Sequence, residues 1–81
     1  MCRNITTLRG LEPAATEEEV LAAARQYVRK VTGVTTAAAM ARPEFEQAVA
    51  SVAAATALVL AEMPPRRSPP KSEPPLRRRA Q

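Results

Sequence analysis

The first amphipathic stretch of the chain lies between Glu17 and Thr32. Its apolar residues are three or four positions apart, which places them on one face of a helix with 3.6 residues per turn. These residues are Val20, Ala24, Tyr27, Val28 and Val31. The pattern predicts a helix over residues 17–32 whose apolar face packs against another element.

Local signals mark both ends of this predicted helix. Thr16 is a good N-cap residue, and Glu19 three positions later completes a capping box. Arg29 and Lys30 lie near the C-terminal end, where the helix dipole favours positive charge. Gly33 suits the left-handed conformation that ends many helices. These signals agree with the bounds that the apolar spacing predicts.

A second apolar face predicts a helix over residues 43–63. Pro43 fits the first helical position, and the prolines at 64 and 65 end the helix. The face consists of Phe45, Val49, Val52, Thr56, Val59 and Met63. Residues 33–42 connect the two helices, and the alanine-rich part of this connection favours one further helical turn.

Leu58 and Leu60 lie beside the second apolar face and widen it near the end of the helix. One interpretation is a deeper local core beneath the N-terminal arm. The other is a self-association face, because a two-helix unit of this size buries little surface by itself. The second interpretation predicts a homodimer.

The first fifteen residues predict an extended arm, since Gly10 and Pro13 disfavour a continuous helix. Its apolar residues, Ile5, Leu8 and Leu11, are expected to lie across the helices and complete the core. The predicted fold is therefore all-α, an antiparallel helical hairpin with an extended N-terminal arm. Residues 1–63 form this small helical domain.

Residues 64–81 differ sharply from the rest of the chain. They hold six of the eight prolines and carry a charge of +5, against −1 for residues 1–63. Paired prolines favour an extended conformation, and the charges keep it solvated, so we expect a disordered tail. Its basic residues are Arg66, Arg67, Lys71, Arg77, Arg78 and Arg79. They form a candidate surface for nucleic acid or other polyanions, without sequence selectivity because no aromatic residue lies among them.

The composition disfavours enzymatic and metal chemistry. The chain has no histidine, aspartate or tryptophan, and these absences remove the usual acid–base and metal-binding groups. We therefore predict no catalytic residues, no metal site, no cofactor and no enzymatic activity. A single cysteine excludes an internal disulfide. The longest uncharged stretch, residues 47–61, is too short to span a bilayer, so we expect a cytoplasmic protein without integral membrane association.

Three segments carry a resemblance to a known family: residues 1–5 (MCRNI), 12–16 (EPAAT) and 26–31 (QYVRKV). With further matches up to residue 63, the chain resembles a family of small bacterial proteins that is described only as a domain of unknown function. The resemblance implies one conserved unit over residues 1–63. It implies no activity, cofactor or catalytic residue.

Two functions remain open from the sequence. The first is a non-enzymatic interaction or adaptor module, with the basic tail contacting polyanions and an unknown protein partner on the arm and the first helix. The candidate residues of that partner surface are Arg3, Asn4, Arg9, Gln26, Arg29 and Lys30. The alternative is a thiol-dependent redox or modification role centred on Cys2, where neighbouring Arg3 favours the thiolate.

Overall fold

The chain folds into helices joined by short loops. The computed structural model describes residues 4–64, 66, 68–70 and 72–79, and within this part it has no strand. The helices are α1 (Glu17–Thr32), α2 (Ala37–Met40), α3 (Pro43–Glu62) and α4 (Pro75–Arg79). Helices α1 and α3 pack against each other as a hairpin. The predicted all-α hairpin is confirmed.

Helix α1 begins and ends as its sequence predicts. The Oγ1 atom of Thr16 accepts a hydrogen bond from the backbone N–H of Glu19 at 3.1 Å, and Oε1 of Glu19 accepts one from the backbone N–H of Thr16 at 2.8 Å. Gly33 is left-handed, with φ 73°, and its N–H donates to the carbonyl of Arg29 at 2.9 Å. The capping box and the glycine therefore fix both ends of the helix through backbone hydrogen bonds.

Helix α3 starts at Pro43 as predicted and ends one residue earlier than expected. Met63 is extended, with φ −78° and ψ 150°, because the proline that follows it disfavours helical geometry. The 20 residues of α3 span about 30 Å at 1.5 Å per residue. Helix α2 is the short turn favoured by the alanine-rich connection, and Thr36 caps it.

The core lies between α1, α3 and the arm. It consists of Leu8, Leu11, Val20, Ala24, Val28, Phe45, Val49 and Ala53. The arm contributes two leucines, as predicted, and these cover the end of the hairpin where α1 begins. Ala53 is a core residue that the apolar pattern of α3 did not include.

Several apolar residues predicted to lie in the core are exposed instead. In α1, Tyr27 is 51% exposed and Val31 is 64% exposed, because the buried contact follows Val20, Ala24 and Val28. Ile5 of the arm is also exposed. In α3 the buried line runs through Phe45, Val49 and Ala53, while Val59 and the C-cap residue Met63 are 50% and 45% exposed. The apolar stripes are wider than the surface that one partner helix covers.

Helix α4 lies inside the tail that the sequence predicts to be disordered. Pro75 occupies its first position, and the backbone N–H of Arg77 donates to the carbonyl of Pro74 at 3.1 Å. A proline at the first helical position lacks only an N–H that would have no partner within the helix. Residues 75–79 therefore differ from the expected extended conformation, and disorder elsewhere in the tail stays a prediction.

Candidate functional site

An apolar groove runs between the arm, the first turns of α1 and the last turns of α3. Its volume is about 740 Å³. The groove is open because most of the α3 residues that line it are alanines. Its apolar walls include Leu8, Leu11, Val20, Leu21, Ala54 and Ala57. Its size lies within the range of about 300–1,000 Å³ that is typical of small-molecule sites.

Arg9 also lines the groove. Its side chain is half-buried, and Nη1 contacts the Sδ atom of Met63 at 3.7 Å. The Nε atom of Arg9 is buried and has no hydrogen-bond partner within the described part of the chain. A thioether sulfur is a weak acceptor, so this contact does not replace the hydrogen bonds that the guanidinium makes in water. The groove therefore contains a cationic group with one donor, Nε, that has no acceptor in the described part of the chain and another, Nη1, on a weak acceptor.

A buried ion pair joins the tail to the start of α1. Nε of Arg77 donates to Oε2 of Glu19 at 2.7 Å, and Nη2 donates to Oε1 at 3.2 Å. The same Nη2 donates to the carbonyls of Pro13 and Ala14 at 2.7 and 3.0 Å. The side chains of Glu19 and Arg77 are 3% and 15% exposed. Glu19 thus caps α1 and holds α4 at the same time.

The protonation state of Glu19 follows from these contacts. Burial raises the pKa of the carboxyl, but hydrogen bonds from Arg77 and from the backbone of Thr16 outweigh it and lower the pKa below its ordinary value. Glu19 therefore stays ionised at neutral pH. Its negative charge is balanced by the Arg77 guanidinium within the buried contact.

The side of α3 that points away from α1 is a second candidate surface. We name the exposed residues Ser51, Ala55, Leu58 and Val59 the outer face. Leu58 and Val59 are 62% and 50% exposed. By length and composition alone, α3 is long and apolar enough to cross a membrane, a criterion that the core helices of soluble proteins also meet. Unlike a typical core helix, α3 is mostly uncovered, since only 17% of its most apolar 18-residue window is buried. The outer face is therefore uncharged and uncovered.

The structure divides the described residues of the predicted partner surface between two places. The backbone N–H of Asn4 donates to Oε1 of Gln26 at 2.7 Å, and the exposed Arg29 and Lys30 follow one turn later on α1. Arg9 lies instead at the opposite end of the hairpin, in the groove. Arg3 lies outside the described residues, as does Cys2, the candidate thiol.

The basic residues of the tail also fall into different environments. Arg66 is exposed, and its side chain lies against Gly10, where a Cβ atom would come within 3.1 Å of it. Arg77 forms an ion pair with Glu19. Arg78 and Arg79 are the last two residues of α4. The candidate residues Arg67 and Lys71 lie outside the described residues.

Sequence reasoning found Glu19 as a capping residue but missed its pairing with Arg77. The two residues are 58 positions apart, and the tail offered no apolar pattern that would indicate docking. The groove was missed as well. The only signal for the groove in the sequence is the run of alanines in α3. Alanines are also common in helices because of their high helix propensity, so this run does not by itself predict a groove.

The molecule is a small helical-hairpin protein with an apolar groove and a cationic tail. The whole chain, residues 1–81, matches the family of uncharacterised conserved proteins named DUF2277. The chain therefore belongs to this family, which confirms the resemblance to a family of unknown function. Comparison with curated proteins and with solved structures gave no match.

Proposed function

We propose that this member of the DUF2277 family is a non-enzymatic interaction module that pairs with a second copy of itself through the outer face of α3. The observation that carries the proposal is the outer face itself. Between Gln47 and Ala61 the helix has no charged residue, and most of this stretch is uncovered. An exposed helix surface without charges favours burial against another apolar surface.

The accessible surface of the chain supports this proposal. It amounts to 6026 Å². A compact monomer of 8.7 kDa exposes about 4,700 Å². The exposed side chains of Leu58 and Val59 contribute to this difference. A standard interface buries about 800 Å² on each partner, which is less than this difference.

The side chains of the outer face suit the packing of two helices. Ser51 and Ala55 are small and allow the two backbones to approach closely, while Leu58 and Val59 supply apolar area. Glu44 and Glu62 bound this face near the two ends of α3, where they remain accessible to water. Pairing therefore buries the uncharged middle of the helix without burying a charge.

We expect the change Leu58→Glu to weaken self-association by at least about tenfold, because burial of a leucine is worth roughly 1.5–3 kcal/mol and the new carboxylate resists desolvation. Sedimentation velocity at a low and a high protein concentration measures the effect. The control Thr35→Glu adds the same charge to an exposed loop residue and leaves association unchanged. The proposal would be contradicted if the wild-type protein sedimented as a monomer at both concentrations. It would also be contradicted if the wild-type protein bound to added phosphatidylcholine vesicles.

The basic tail adds a second contact to the proposed module, one that involves polyanions. Because Arg77 is held by Glu19, the residues offered for this contact are Arg66, Arg67, Lys71, Arg78 and Arg79. Each phosphate that they neutralise releases counterions, so affinity for double-stranded DNA falls with salt at a slope of about −0.9 per contact.

Replacing these five residues with glutamine in the full chain is expected to abolish salt-sensitive retention of a DNA duplex on a filter. The single change Arg25→Gln, at an exposed position of α1, serves as the control, and it leaves the salt slope unchanged because this residue lies outside the basic tail. Retention that survives the fivefold replacement would show that the polyanion site lies elsewhere.

A further inference from the structure

We propose that the groove binds a linear aliphatic carboxylate, with the hydrocarbon chain between α1 and α3 and the carboxylate on the guanidinium of Arg9. This inference goes beyond the self-association proposed above and uses different residues. The outer face of α3 takes no part in lining the groove.

The shape and lining of the groove fit a hydrocarbon chain. Along α3 the walls are formed by Ala50, Ala54, Ala57 and Ala61, which span about 16 Å at 1.5 Å per residue. The opposite wall is formed by leucine and valine side chains of the arm and of α1. A flexible aliphatic chain can follow this row of alanines along its length. Burial of each methylene against these apolar walls favours binding.

Arg9 supplies the chemical specificity. Nη1 of Arg9 donates at an exposed position to the thioether sulfur of Met63, which is a weak acceptor, and an anion is a stronger one. A carboxylate matches the guanidinium, since two oxygens accept from two parallel N–H groups. Arg9 contacts Met63 at the end of α3, so the carboxylate is expected at this end of the groove.

The remaining polar groups of the groove do not compete for this role. The hydroxyl of Thr16 already accepts the capping hydrogen bond from Glu19. Glu17 lines the start of α1 with an exposed carboxylate, which repels a second anion. A ligand with one terminal carboxylate is therefore favoured over a dicarboxylate.

Titration of the ¹⁵N-labelled full chain with decanoate, decanol and decylammonium tests the proposal by nuclear magnetic resonance. We expect saturable shifts at the groove residues and binding of decanoate at least about tenfold tighter than that of decanol, the range of a charge-assisted hydrogen bond. Arg9→Gln reduces decanoate binding to the level of decanol, whereas Arg9→Lys keeps part of the preference. Arg29→Gln, the same change at an exposed position, has no effect.

Ala57→Leu fills the groove and is expected to abolish binding of both decanoate and decanol. If this variant does not fold, Arg9→Gln alone decides the question, because a change at a half-buried surface residue leaves the core intact. Leu58→Glu separates this site from the dimer, since it weakens self-association and leaves decanoate binding unchanged. Equal affinities for the three probes, an unchanged preference in Arg9→Gln, or shifts confined to the outer face would overturn the proposal.

Discussion

Replacing Phe45 with alanine is expected to lower the free energy of unfolding by about 3 to 5 kcal/mol. Phe45 is the only phenylalanine of the chain and lies in the first turns of α3, 7% exposed. The surrounding core consists of aliphatic side chains, several of them small, that do not refill the space of an aromatic ring. The loss combines the hydrophobic contribution of the ring with the cavity that it leaves.

This loss is large relative to the total stability of such a small domain, which is about 0.05–0.15 kcal/mol per residue. Urea denaturation followed by circular dichroism measures it. Tyr27→Ala is the matched control, because it also removes an aromatic ring but at a half-exposed position of α1. We expect it to cost less than half as much. Equal losses for the two variants would mean that Phe45 is not at the centre of the core.

Replacing Glu19 with alanine is expected to destabilise the protein by about 2 to 3 kcal/mol. The change removes the capping box of α1 and leaves Arg77 without its carboxylate partner. This value lies below the usual penalty for breaking a buried pair, because the Arg77 guanidinium can move into water. Glu18→Ala removes the same charge from an exposed position one residue earlier, and we expect an effect of only a few tenths of a kcal/mol.

The pH dependence of the stability lost on replacing Glu19 distinguishes the contribution of the Glu19–Arg77 ion pair from that of the capping hydrogen bond. The pKa of Glu19 is lowered in the folded protein, so the carboxylate contributes its full stabilisation above the unfolded pKa. This contribution is lost as the pH falls through the folded pKa. The difference between the wild type and Glu19→Gln should therefore be constant near neutral pH and shrink under acidic conditions. A difference that does not change with pH would show that the charge of Glu19 plays no part.

The helices themselves could be predicted because their signals are local. The Thr16–Glu19 capping box and Gly33 act within a few residues, and they fix the ends of α1 whatever the rest of the chain does. The proline after Met63 ends α3 for a similarly local reason. The arm leucines were also placed correctly, because a short hairpin needs additional apolar cover at its end.

The exposure of Tyr27, Val31 and Val59 could not be predicted in this way. Apolar spacing identifies the side of a helix that favours burial, but it does not tell how much of that side a neighbour covers. In this hairpin each long helix packs along its length against only one other long helix and the short arm, so parts of both stripes stay in contact with water. These uncovered parts include Val59, one residue of the outer face proposed for self-association.

The amino-acid sequence by itself determined α1, α2 and α3, the ends of the two long helices to within one residue, and the division between a near-neutral body and a basic tail, because capping, helix propensity and charge depend on nearby residues. Only the tertiary structure decided that Arg77 pairs with Glu19, that Arg9 lines an apolar groove and that the outer face of α3 stays uncovered. These features depend on contacts between distant segments and on how closely two helices of small residues pack. Neither can be deduced from the spacing of residues along one helix.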